Sequence, residues 1–123
     1  MPVLDTNFLI AVQEREASAL RLLAEIQREP LLVPSIVAVE FLTPYGAAAR
    51  EAYEELDRAF TLAHTTPEWI QGAAKLRGRL RKEGRSIRLA DFWIAAWASR
   101  HDTIVITRNG KDFEGMGIKT RAW

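Results

Sequence analysis

The chain has 123 residues, 48% of them apolar and 27% charged, the size and balance of one soluble domain, and no apolar run approaches the roughly 18 residues that a membrane span needs. It has no cysteine, which excludes disulfides, thiolate metal sites and cysteine nucleophiles and fits a reducing, cytoplasmic setting. The net charge of +1 hides an asymmetry: residues 1–60 carry 5 Arg against 10 acids, residues 61–123 carry 12 Lys and Arg against 6, so a polyanion would be drawn to the second half.

Met1 leads straight into Val3-Leu4 with no basic stretch or small-residue cleavage site before it, so a secretory leader is not expected. Val3-Leu4 predicts a short strand that stops at Asp5-Thr6-Asn7, residues suited to turns and caps. Ala17 to Glu29 places Leu20, Leu23, Ala24 and Ile26 at helical spacing among Arg and Glu, an amphipathic helix closed by Pro30. Leu31-Leu32-Val33 reads as a second strand, and Ser35 as the N-cap of a helix from Ile36 to Leu42 that stops before Pro44. Ala47 to Phe60 is rich in helix formers, and Thr61 to His64 suits a third strand. Thr66-Pro67 opens a helix that ends near Gly84, and Arg88 to His101 forms another around Phe92, Trp93, Ile94 and Trp97. Thr103 to Thr107 is the clearest strand signal, Asn109-Gly110 a turn, and Met116 to Thr120 a last strand.

Short apolar strands alternating with helices predict an α/β fold, a parallel sheet of four to five strands with helices on both faces, in one domain over residues 1–123. Ligands of such sheets bind beyond the carboxyl ends of the strands. Asp5 ends the first strand, and Thr107 to Asp112 follow the late one. Glu40 and Asp91 lie in helices among apolar residues, each expected on or beside a buried face, where an uncompensated carboxylate is costly. Arg88, three residues before Asp91, offers a local ion pair as the simpler explanation of that acid. Clustered carboxylates without nitrogen or sulfur ligands select hard cations, Mg²⁺ or Mn²⁺, and such ions promote phosphodiester hydrolysis.

Seven cations fall between Lys75 and Arg88, opposed there only by Glu83. Lys75, Arg79, Arg81, Lys82, Arg85 and Arg88, with Arg108 beside the late strand, are candidate polyanion contacts, although a solvated helix face has the same composition. Trp93 and Trp97 at i, i+4 suit core or dimer packing better than base stacking, and His64 and His101 sit in no catalytic pattern. No phosphate-binding glycine loop is present.

Four segments taken together resemble the PIN-domain ribonucleases, in particular the VapC-like toxins of toxin–antitoxin pairs. They are Val3-Leu4-Asp5-Thr6-Asn7, Ser35 to Glu40, Leu89 to Ala96, and Thr107-Arg108-Asn109-Gly110-Lys111-Asp112-Phe113, with 35, 51 and 21 residues between successive acids. The resemblance implies a PIN-like domain in which Asp5, Glu40 and Asp91 bind metal, supported by the hydroxyls of Thr6 and Thr107. Many relatives have Asp where Asn109 stands, so Asp112 is the expected fourth acid and Asn109 a supporting group. It further implies endonucleolytic cutting of RNA with Mg²⁺ or Mn²⁺, which would make RNA the polyanion that the basic residues contact, together with a homodimer and a cognate antitoxin. The alternatives are a catalytically silent module that binds RNA or acts as a scaffold, and a housekeeping RNA-processing nuclease. A receiver domain is disfavoured because Thr61 to His64 supplies no acceptor Asp.

Overall fold

Val3–Leu4 (β1), Leu32–Pro34 (β2), Thr61–Ala63 (β3), Ile104–Ile106 (β4) and Lys119–Arg121 (β5) pair in one sheet in the computed structural model, which describes all 123 residues. The order is β3-β2-β1-β4-β5 and every pairing is parallel. Central β1 is in register with both neighbours, Val3 opposite Leu32 on one side and Val105 on the other. The connecting helices are Thr6–Gln13 (α1), Ala17–Ile26 (α2), Ser35–Leu42 (α3), Ala49–Ala59 (α4), Pro67–Lys82 (α5) and Leu89–Arg100 (α6), with 3₁₀ segments at Thr43–Ala48 and Gly110–Phe113.

The chain travels outward from β1 to β3, then crosses back by α5 and α6 to β4 on the far side of β1. Right-handed crossovers therefore place α5 and α6 on the face opposite the earlier helices, and they open a crevice where the order reverses, at the carboxyl ends of β1 and β4. Val3, Leu4, Val105 and Ile106 have no solvent exposure, as expected of short central strands covered on both faces. α6 lies on β1, β2 and β4, and α5 packs outside it. There the rings of Trp69 and Trp93 are 4.9 Å apart and those of Trp69 and Trp97 5.4 Å, so Trp93 and Trp97 serve the interior as expected. His101 stacks on Trp97, and burial pushes its imidazole pKa down.

At the far edge, β5 is wholly exposed and carries Lys119 and Arg121, charges that discourage another strand from adding there. Arg121 also makes a two-pronged pair with Glu25, at 3.0 and 2.8 Å. No helix is long and apolar enough to cross a membrane.

Three local expectations change. Asp5-Thr6-Asn7 is the start of α1, with the Asp5 carboxylate capping it, and Phe8, Leu9 and Ala11 of that helix are buried. α3 begins at Ser35 itself, capped by the backbone of Pro34 with no side-chain bond. The last strand is Lys119–Arg121, because Gly115 and Gly117 adopt positive φ and keep the preceding residues in a turn. Thr66 does cap α5, its hydroxyl accepting from the Trp69 N–H at 3.1 Å. Thr66→Ala should therefore lower stability by about 1 kcal/mol in urea denaturation, with the m-value unchanged.

Candidate active site

Asp5 stands where β1 ends and α1 begins, at the crevice. Its Oδ1 accepts from the Thr6 backbone N–H at 2.7 Å and its Oδ2 from the Thr107 hydroxyl at 2.7 Å. Thr107, 1% exposed at the end of β4, takes a bond from the Asn109 N–H at 3.0 Å, which leaves its own proton directed at Asp5. The hydroxyl of buried Thr6 donates to Glu40 Oε2 at 3.2 Å, so Thr6 ties two acids from separate elements together. Burial is the main reason that the Asp5 carboxyl titrates above its ordinary range; its two hydrogen bonds oppose that, and the charges of Asp91 and Asp112 reinforce it.

Asp91 lies in the first turn of α6, where the helix dipole favours an anion, and its side chain is 8% exposed. Arg88 holds it with two bonds, Nε to Oδ2 at 2.8 Å and Nη2 to Oδ1 at 3.2 Å. The same Nη2 comes within 3.7 Å of Asp112 Oδ2, on the 3₁₀ segment after β4. The Arg88 guanidinium is held more firmly in its charged form by the bonds to Asp91, and the fields of Asp91, Asp112 and Glu40 add to this. The fold thus gathers the four acids around one mouth, with Thr6, Thr107 and Arg88 between them. As the side chains stand, no three of them close on a common point where one ion could be held.

One expectation needs correction. Glu40 is not on a buried face: in α3 Val37 and Ala38 turn inward while Val39 and Glu40 are exposed, so its position needs no compensating burial partner. The basic stretch divides between helix faces. Lys75, Arg79 and Lys82 recur at helical spacing on one face of α5, where Arg79 pairs with Glu83 at 4.0 Å. Arg77 and Arg81 lie on another and, with Arg85, Leu80, Ser86, Ile87 and Phe92, line a depression of about 230 Å³ against the start of α6. Arg77 stands 5.8 Å over the Phe92 ring, and Arg85 donates to the Glu114 carbonyl. Arg77 was absent from the candidate contacts; the i, i+4 relation to Arg81 is the signal that selects it. Arg108 pairs with Glu16 and stacks 4.5 Å over Trp123, whose ring in turn meets Phe8 edge-on.

The donor set fits a hard divalent cation: carboxylates and hydroxyls only, two of the acids already sharing one guanidinium. The sequence model of the PIN domain matches residues 3–119. No curated protein matches the chain. Among solved structures, VapBC2 from Rickettsia felis bound to a promoter DNA fragment matches with a TM-score of 0.81 at 19% identity, covering 98% of this chain and 97% of that one. DNA-bound VapBC from Salmonella typhimurium gives a TM-score of 0.81 at 20% identity over 100% and 99% of the two chains. VapBC-1 from nontypeable Haemophilus influenzae gives 0.77 at 24% identity over 98% and 96%.

Proposed function

The chain belongs to the PIN-domain family, and from that premise we propose that it is a metal-dependent endoribonuclease acting as the toxin of a toxin–antitoxin pair. One observation carries the reading: Asp5, fixed by Thr6 and Thr107 at the point where the strand order reverses, feels the charge of Asp91 and Asp112 brought from two other elements. Asp5, Glu40, Asp91 and Asp112 would hold the ion. Bound there, Mg²⁺ or Mn²⁺ would polarise a phosphodiester and make a coordinated water acidic enough to attack.

The remaining work belongs to the protein's own groups. Thr107 spends its proton on Asp5 and Thr6 spends its own on Glu40, which fixes how those carboxylates are turned and lowers the cost of assembling the site. Asn109 acts by its backbone, orienting Thr107. The depression lined by Arg77, Arg81 and Arg85 includes Phe92, the residue that follows Asp91, and offers RNA phosphates a cationic wall. Val39 and Leu89, 65% and 52% exposed, flank Glu40 and Asp91. A second protein chain, the antitoxin or another copy in a homodimer, would cover these apolar side chains. A toxin–antitoxin complex from Klebsiella pneumoniae, also similar in fold, supports the antitoxin. With RNA as substrate, the place of action is the cytoplasm.

Purified protein incubated with a mixed RNA pool should produce internal cuts with Mg²⁺ or Mn²⁺ and none after chelation. RNA that is bound and left intact under all three conditions would instead make the chain a binding module.

A further inference from the structure

Arg88 is the one cation in contact with the acids, and it is placed as a metal would be. It engages both oxygens of Asp91 and reaches Asp112, carboxylates that come from α6 and from the segment after β4. We propose that Arg88 is an internal competitor of the divalent ion, pairing with Asp91 and Asp112 in the metal-free protein and displaced when metal binds. The inference rests on the functional reading above.

Asp91 is 8% exposed, and a carboxylate so placed needs a compensating charge when no metal is present. Arg88 supplies it in the fork geometry that matches a carboxylate, so both Asp91 oxygens are occupied. An ion entering the site needs some of those same oxygens, and two cations cannot share them without mutual repulsion. Arg88 cannot yield by losing its proton, since a guanidinium stays charged throughout the accessible pH range. It can yield only by moving. Its side chain is 74% exposed, makes no hydrogen bond except to Asp91 and has Asp112 as its one other ion-pair partner, so only the acids of the site hold it in place. It also sits at the cap of α6, at the end of the loop that follows Gly84. The consequence is a metal affinity set below what the four acids alone would give.

Titration calorimetry with Mn²⁺ on the metal-free wild type, R88Q and R88K, together with melting curves, tests this. R88Q should melt lower than wild type without metal, because Asp91 is left unpaired. It should nevertheless bind Mn²⁺ about five-fold tighter or more, the scale of one partly exposed ion pair, and gain more in melting temperature from saturating Mn²⁺. R88K, which keeps the charge and loses the fork, should lie between them. If R88Q binds Mn²⁺ equally or more weakly, Arg88 organises the acids and does not compete for them, and the inference fails while the nuclease reading stands. If neither wild type nor R88Q binds Mn²⁺, the functional reading falls and the inference with it.

Discussion

Asp5→Asn is expected to lower RNA cleavage by about two orders of magnitude or more while leaving the metal-free protein at least as stable as the wild type at neutral pH. The two halves follow from the same geometry. Asn keeps an acceptor for the Thr6 N–H and can donate its amide to the remaining lone pair of the Thr107 hydroxyl, so both contacts persist, the second with its direction reversed and the Thr107 proton released from its acceptor. What the substitution removes is the charge. Burial and the neighbouring Asp91 and Asp112 raise the Asp5 pKa in the folded protein, so the folded state binds this proton more tightly than the unfolded chain. The ionised carboxyl therefore costs stability. The cost is absent below the unfolded pKa, grows as pH climbs towards the folded value, and is fully present above it. Urea midpoints across that window should show Asp5→Asn gaining on the wild type as pH rises, and added Mn²⁺ should stabilise the wild type alone. A variant that cuts RNA at the parental rate would remove Asp5 from the chemistry. One that unfolds would show the carboxylate to be structural.

An acid set among apolar residues is what the sequence signalled at Asp91, whereas Asp5 was legible from its place at the carboxyl end of the first strand. Asp91 falls among Phe92, Ile94 and Ala95, all buried, so its acidity contradicts its surroundings and calls for a partner. Glu40 was selected for the same reason on weaker ground, since α3 is 8 residues long and two turns do not say which side of an apolar helix faces in. Its partner, Thr6, is 34 residues away, and only the pairing of β1 with its neighbours brings them together. The strands were readable from β-branched runs such as Thr103 to Thr107. α1 was not, because Asp5-Thr6-Asn7 suits a turn as well as a helix start and the helix, 8 residues long, is too short for a clear period. The spacing of Arg88 and Asp91 is enough to suggest their pairing, whereas the reach of Arg88 to Asp112 depends on how the segment after β4 folds back.

The arginines of α5 present the second large effect, and it separates a binding surface from a merely charged helix. Arg77→Gln with Arg81→Gln removes two cations from the depression against α6, whereas Lys75→Gln with Arg79→Gln removes two from another face of the same helix and leaves the net charge identical. If RNA passes through the depression to reach Asp91, the first pair should lose about ten-fold or more in affinity for a single-stranded RNA at physiological salt. The slope of log affinity against log salt should shrink by about 0.7 for each phosphate that is no longer neutralised. The second pair acts only through the long-range field, which salt screens within about 10 Å at 0.1 M, so its effect should be small and its slope near the parental one. Binding is measured on an Asp5→Asn background to prevent cutting. Because Arg77 also lies over Phe92, a melting curve is needed to show that the first pair stays folded. Equal losses of affinity from the two faces would mean that attraction is diffuse, and would detach the depression from the path of the substrate.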